Sequence, residues 1–317
     1  MQIFHKVVEK EFAAVNALVV SQLQSDIGLV ENIGHYIVDA GGKRLRPVLV
    51  LLSALANGYT GNEHLKMAAV VEFIHTATLL HDDVVDVSTL RRGRETANAQ
   101  WGNAPSVLVG DFLYSRAFQM LVQVANMPIM GVMADATNVI SEGEVQQMAN
   151  AGNCDITEDI YRQVIYRKTA RLFEAAAQVG ACLAGQNQEA MMAYGNHLGM
   201  AFQIADDVLD YQGELDKIGK NIGSDLAEGK MTLPLIFARD NGGNKASEII
   251  CKAVTKQTPE DFNTILDIVS ASGGLSYSYT QAKREVELAK KALVHLPESK
   301  YKQVMLDLAD FSIARVS

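Results

Sequence analysis

The sequence predicts an all-α protein, a helical bundle with its active cavity between helices. Three observations carry that expectation. Apolar residues recur at three- and four-residue spacing over long segments. Only 6 prolines interrupt 317 residues. Strand-like alternation is nearly absent. Hydrophobic residues make up 48% of the chain, enough for a substantial core. No linker, low-complexity tract or clear repeat divides the chain, so one domain over residues 1–317 is expected.

The periodicity places the first helices over 4–25 and 28–40, the second stopping before Gly41-Gly42. The run Lys43-Arg44-Leu45-Arg46-Pro47 then leads into a helix over 45–57. A longer helix over 64–89 holds the greasy stretches Met67 to Val71 and Ala77 to Leu80, then an acidic cluster. Helices over 104–124 and 129–150 carry Met120, Leu121 and Met133. A single helix over 157–185 holds Lys168 and Thr169, and one over 188–212 holds a second acidic cluster. A Gly-rich polar segment, Gly213 to Gly229, follows as a loop. Helices over 231–239, 246–255, 259–271, 275–295 and 299–315 complete the array.

The net charge of −9 argues against general attraction to nucleic acid or an anionic membrane. The amino terminus lacks an apolar core of signal-peptide type, and no apolar stretch reaches the ~18 residues of a membrane span. A cytoplasmic protein is expected. Cys154, Cys182 and Cys251 lie far apart without paired metal spacing, so they read as reduced and incidental.

The chemistry lies in two clusters of one form, Asp82-Asp83-Val84-Val85-Asp86 and Asp206-Asp207-Val208-Leu209-Asp210. On a helix, Asp82 and Asp86 share a face with Asp83 beside them, and Asp206 and Asp210 repeat the arrangement. Like charges on apolar flanks are costly without a cation. A solvated helix face is the bland alternative, and the repetition argues against it. Oxygen-only ligands favour a hard ion such as Mg²⁺, held by a few carboxylates, waters and substrate phosphates. Basic groups accompany the acids: Arg91-Arg92-Gly93-Arg94, Lys43 to Arg46, Lys168 and Arg171, Lys220 and Lys230. Metal plus Arg and Lys suits diphosphate. The intervening greasy stretches suggest a substrate with a long apolar tail. No nucleophile constellation is evident.

These pieces resemble the trans-type polyprenyl diphosphate synthase family. The matching runs are Gly41 to Pro47, Ile74-His75, both Asp clusters, Arg91-Arg92-Gly93, Gly110-Asp111, Lys168-Thr169 and Phe202-Gln203. Gly219 to Asp225 and Gly229-Lys230 also match, and the set keeps the family's order over roughly 35–235. The resemblance is strongest to bacterial octaprenyl diphosphate synthases, including the segment Lys168 to Gln178. It implies an isoprenoid-synthase-type helical bundle, as a homodimer. It also implies successive head-to-tail condensation of isopentenyl diphosphate onto an allylic diphosphate such as farnesyl diphosphate. The product would be a long all-trans chain, octaprenyl for a quinone, with hepta-, nona- and decaprenyl products as alternatives.

Residue roles follow from the same resemblance. Asp82, Asp86 and Asp206 are the metal ligands for on the order of two to three Mg²⁺ ions. Asp83, Asp207 and Asp210 complete the acidic platforms. Lys43, Arg46, His75 and Arg92 hold isopentenyl diphosphate. Arg91, Lys168, Thr169 and Gln203 hold the allylic diphosphate. Lys220 and Lys230 belong to a lid that neutralises the departing diphosphate. His75 stands seven residues before Asp82, two turns along one helix face, which supports a pocket position over a structural one. Asp111 orients a base or a lysine, or caps a helix. Arg44 and Arg94 read as exposed.

Chain length is read below the first cluster. Ala77 and Thr78 lie about 6–7.5 Å down the helix from Asp82. They are small, so a tail can pass; Phe73 and Ile74 lie deeper, and Met120, Leu121 and Met133 on following helices are candidates for the floor. Ordinary core packing is the competing account of the methionines. Two rival functions are a metal-dependent phosphohydrolase built on His81-Asp82 and a non-catalytic synthase subunit. The first lacks further histidine ligands at suitable spacing. The second should have lost acidic or basic motif residues, and both motifs are complete.

Overall fold

The protein, described here by a computed structural model, is seen over residues 3–212, 223–257 and 262–314. The chain divides into two compact units. Unit 1 comprises Met1–Thr137, Leu172–Gly195 and Ala292–Leu308, and unit 2 comprises Asn138–Arg171, Asn196–Lys291 and Ala309–Ser317.

The described elements are almost all helices. They run α1 (Ile3–Lys6), α2 (Glu9–Gln22), α3 (Gly28–Asp39), α4 (Leu45–Ala56) and α5 (Glu63–Val85). A short hairpin, β1 (Leu90–Arg91) and β2 (Arg94–Glu95), precedes α6 (Ala97–Trp101), α7 (Asn103–Val124) and α8 (Met127–Asn150). Next come α9 (Glu158–Ile165), a π-helical turn (Tyr166–Ala170), α10 (Arg171–Ala184) and α11 (Gln188–Gln212). The chain continues through α12 (Ser224–Ala227), α13 (Leu233–Asn241), α14 (Asn244–Lys256), α15 (Phe262–Ser272), α16 (Gly274–Ala292) and α17 (Lys300–Ile313).

Unit 1 is organised around α5, which packs against α2, α4 and α7. Met67, Ala68, Ala69, Val70, Val71, Phe73 and Leu80 are fully buried, so this helix is apolar around most of its circumference. Helix α4 is alike, with Val48 through Leu52 fully buried. In unit 2, α13 packs on α14 and α15 through Leu233, Leu235, Ile250, Val254, Ile265 and Val269. Pro234 sits in the first turn of α13, where a missing N–H costs nothing. No helix among the described residues is long and apolar enough to cross a membrane.

Four expectations are corrected. The helix expected over 64–89 ends at Val85, and its last residues become the approach to a hairpin. Leu90 pairs with Glu95 and Arg91 with Arg94, leaving Arg92-Gly93 as a two-residue turn. Both turn residues have positive φ, 54° and 74°, as a type I′ turn requires. Two-residue strands are too short to imprint an alternation. The helix expected over 157–185 is broken by the π-turn, where Arg171 N donates to Tyr166 O, five residues back. One wide turn shifts the apolar spacing by a single residue, within the scatter of a three- and four-residue pattern. The segment 4–25 splits into α1 and α2. Finally, Cys154 and Cys251 are disulfide-bonded across a sequence separation of 97, and Cys182 is free. Tertiary packing in unit 2 brings the pair together, and nothing local announces it.

Candidate active site

In unit 1 the first acidic cluster closes α5, with Asp86 as the C-cap residue and its N–H donating to Asp82 O at 2.8 Å. The three aspartates are not equivalent. The Asp83 side chain is wholly buried and accepts from Arg91 Nε at 2.9 and 3.0 Å and from Arg91 Nη2 at 2.6 Å. Its backbone carbonyl accepts from Ser88 N at 2.9 Å and Asn98 Nδ2 at 3.1 Å. The hairpin therefore returns Arg91 to Asp83, and the pair fixes the end of α5. Asp82 and Asp86 remain half-buried. Val87, just past the cap, is held at φ 50°, an uncommon strain for a β-branched residue.

The same unit gathers a cationic pocket. Arg46 Nη1 lies 3.2 Å from His75 Nε2, and its guanidinium stacks 4.4 Å over the Phe173 ring. A guanidinium only donates, so His75 Nε2 accepts and the ring proton resides on Nδ1. Burial, then the neighbouring charges of Arg46, Arg92 and Arg91, hold the His75 imidazole well below its ordinary pKa. Burial pulls Arg46 down to about 10, with Glu72 opposing. Arg46 Nε is buried without a hydrogen-bond partner. Arg92, at the hairpin turn, donates to Gly41 O. Gly42 permits this, since a Cβ there would sit 2.5 Å from Arg92 Nη1. Lys43 belongs to the same loop, and its carbonyl accepts from His5 Nε2 at 3.0 Å. Arg44 proves structural, not exposed: it donates to Asn16 and to Val38 O and pairs with Glu72 at 3.7 Å. Arg94 is exposed, as expected. Asp111 lies inside α7, 3.3 Å from His81 Nε2, so it caps no helix.

In unit 2 the second acidic cluster occupies the last turns of α11. Asp207 is buried, accepting from Tyr161 Oη at 2.6 Å and Gln203 Nε2 at 2.8 Å. Burial, then the Asp225 charge, raises its pKa well above the ordinary value. Thr169 Oγ1 donates to Gln203 Oε1 at 2.8 Å, so the π-turn and α11 share one chain of hydrogen bonds. Lys168, on the same turn, reaches Glu144 at 2.6 Å. Asp210 accepts from Ser224 N, Ser224 Oγ and Asp225 N at 3.3, 3.0 and 3.2 Å, anchoring α12. Burial, followed by the Asp225 charge, pushes its carboxyl up to about 7. Asp206 is exposed. Lys230 pairs with Glu228, and its N–H donates to Asp225 O at 2.8 Å. Lys220 lies outside the described residues.

The two clusters thus repeat one device. Each stands at a helix C-terminus, where the macrodipole is negative and favours a cation. In each, the second aspartate is buried and hydrogen-bonded within its own unit, Asp83 by the charged Arg91 and Asp207 by the neutral donors Tyr161 and Gln203. The first aspartate stays nearer solvent.

Residues 28–270 match the polyprenyl synthetase family. The chain belongs to that family. It is 47% identical to octaprenyl diphosphate synthase of Escherichia coli strain K12 over 310 residues, covering 96% of each chain. It is 45% identical to an all-trans-nonaprenyl-diphosphate synthase, described as geranyl-diphosphate specific, of Rhodobacter capsulatus, covering 98% of this chain and 96% of that one. A polyprenyl synthase crystal structure from Caulobacter crescentus CB15, complexed with calcium and isoprenyl diphosphate, superposes with a TM-score of 0.95 at 41% identity, covering 99% and 97% of the two chains.

The polyprenyl synthetase family is Mg²⁺-dependent, and the residues of this chain fit that ion. Asp82, Asp86 and Asp206 offer hard carboxylate oxygens at negative helix ends. Among the described residues no three acidic or histidine side chains form a ready metal cage. Ala77, Met120 and Met133 are buried within unit 1, and the Thr78 hydroxyl is tied to His75 O at 2.8 Å. Sequence reasoning missed Tyr161, which no spacing rule links to Asp207, and the structural duties of Asp83, Arg44 and Glu144.

Proposed function

We propose that this synthase condenses isopentenyl diphosphate repeatedly onto an allylic diphosphate, farnesyl diphosphate as primer, giving all-trans octaprenyl diphosphate for a quinone side chain. The observation that carries this reading is the acidic helix end built once in each unit, together with the Arg46–His75 contact near Arg92 in unit 1, a group we assign with Lys43 to one substrate diphosphate. The 47% identity to an octaprenyl synthase supports the product.

Each residue then has a task. Arg46 and Arg92 take the diphosphate of isopentenyl diphosphate, and neutral His75 adds no charge while steering Arg46. Lys168, Thr169 and Gln203 hold the allylic diphosphate with Arg91. Asp82, Asp86 and Asp206 hold on the order of two to three Mg²⁺ ions, with Asp83, Asp207 and Asp210 supporting them. Bound Mg²⁺ supplies charge stabilisation as the allylic C–O bond breaks. The double bond of isopentenyl diphosphate attacks the allylic carbon, and proton loss yields a chain one C5 unit longer. Lys230, with Lys220, neutralises the departing diphosphate. The tail descends past Ala77 and Thr78 towards Met120 and Met133. The enzyme works as a cytoplasmic homodimer.

The test is incubation with farnesyl and isopentenyl diphosphates, with and without Mg²⁺, and mass analysis of the extracted lipid. Mg²⁺-dependent octaprenyl product is expected. Hydrolysis without elongation, or no turnover in the purified chain, refutes the reading. Ala77→Tyr should stop the product ladder early while keeping the first condensation. An unchanged main product in that variant excludes a tail path at Ala77.

A further inference from the structure

We propose that Cys154 and Cys251 form a reversible thiol–disulfide switch that sets the mobility of the Gly229–Lys230 turn. Its effect on turnover rests on the role proposed above for Lys230.

Cys154 lies in the loop between α8 and α9, and Cys251 lies within α14. Both are half-buried, so an external thiol or disulfide has access. The bond ties that loop to α14. The loop is gripped again at Gly152, whose carbonyl accepts from Thr255 Oγ1, one turn beyond Cys251, at 3.3 Å. Arg239 of α13 donates to Cys154 O and, at 2.8 Å, to Ile156 O. Residues 152–156 are thus a strap fastened at both ends.

The strap in turn holds the turn that bears Lys230. Gly152 N donates to Gly229 O at 2.9 Å. A Cβ on Gly229 would lie 2.8 Å from Gly152 N and 3.0 Å from Gln257 Cγ, so strap, turn and the end of α14 touch without spare room. One residue further, the Lys230 N–H donates to Asp225 O at 2.8 Å. Asp225 N is held by the Asp210 carboxylate of the second acidic cluster at 3.2 Å. Backbone segments and hydrogen bonds in alternation therefore lead from the cysteine pair through Gly152, Gly229 and Asp225 to that cluster.

A structural staple needs a permanently oxidising setting, whereas a half-buried pair beside a working loop suits thiol exchange. The thiolate of one cysteine attacks a low-molecular-weight disulfide and releases one thiol. The second cysteine attacks the resulting mixed disulfide and releases the other. Two electrons and two protons pass from the pair to the external disulfide, which leaves as two thiols. A dithiol reverses the exchange. Closing the bond shrinks the open-state ensemble of the strap and slows any departure of Gly229–Lys230 from its place.

The experiment uses the full chain equilibrated with glutathione disulfide or dithiothreitol and then alkylated. Oxidised protein should alkylate at Cys182 alone, and reduced protein at all three cysteines. Amide exchange at Gly152, Gly229 and Lys230 should slow about 10-fold or more on oxidation. Elongation should slow about 3-fold or more, because lid motion gates turnover. Cys154→Ser and Cys251→Ser should keep the reduced rate under both conditions. Alkylation of all three cysteines after oxidant, or identical amide exchange in both states, overturns the proposal. So does equal turnover of oxidised and reduced protein when Lys230→Ala is slow. Normal turnover in Lys230→Ala instead removes the role given to Lys230, and leaves the thiol count and amide exchange to decide the switch.

Discussion

Replacing Asp83 should damage stability first, whereas replacing Asp82 should damage chemistry alone. The Asp83 carboxylate has no solvent access and meets Arg91 at 2.6, 2.9 and 3.0 Å, while the Arg91 side chain is 15% exposed. Removing one partner of a buried ion pair costs about 3–5 kcal/mol. Asp83→Ala should fall near the lower end, at about 3 kcal/mol, because the partly exposed guanidinium recovers some hydration. Arg91→Ala should approach about 5 kcal/mol, since it strands a carboxylate that water cannot reach. The double variant should cost less than the sum, which a double-mutant cycle measures directly. Asp82→Ala should stay within about 1 kcal/mol of the parent while losing turnover by orders of magnitude. Equilibrium urea unfolding supplies the energies, and the farnesyl-primed elongation assay supplies the rates. If Asp83→Ala costs less than about 1 kcal/mol, or Asp82→Ala unfolds as readily as Asp83→Ala, the division of labour within the cluster is wrong.

Gly143→Ala should distort the π-turn, because its Cβ would lie 2.7 Å from Arg167 Cβ and 2.8 Å from Lys168 N. Weaker allylic-substrate binding with isopentenyl binding intact is the expected result in direct titrations, and equal effects on both contradict it. Tyr161→Phe leaves the buried Asp207 carboxyl without its 2.6 Å donor and should cost about 1.5–3 kcal/mol, checked by urea unfolding. His75 stays neutral in the folded protein, whereas an unfolded histidine takes up a proton below about pH 6.5. The unfolded state then binds the extra proton, so stability falls as pH drops below about 6.5, by up to about 1.4 kcal/mol per pH unit. His75→Gln should reduce that acid slope by about one proton, and an unchanged slope between about pH 5 and 6.5 contradicts a neutral buried His75.

Apolar spacing alone reveals most of the helices, because a helix seeking a core must repeat near 3.6 residues. Where the spacing is indifferent, the reading fails. A π-turn absorbs one extra residue, so the apolar pattern slips by a single position at Tyr166–Ala170, a slip too small to stand out from mixed three- and four-residue spacing although the turn carries Lys168 and Thr169. The Arg92-Gly93 hairpin has strands of two residues, too short for alternation to register.

The sequence by itself determined the helical class, the paired acidic clusters and the basic runs beside them, because these are properties of residue type and local spacing. It also made Arg46 and His75 candidates for one pocket, and they meet at 3.2 Å. Only the tertiary structure decided which aspartates are buried, Asp83 in the first cluster and Asp207 and Asp210 in the second. That choice depends on partners brought from elsewhere: Arg91 by a hairpin, Tyr161 by α9. It alone decided that Arg44 is a structural cation and that Cys154 meets Cys251. Burial and long-range pairing are set by how helices pack, and a linear spacing holds no record of which distant side chain arrives.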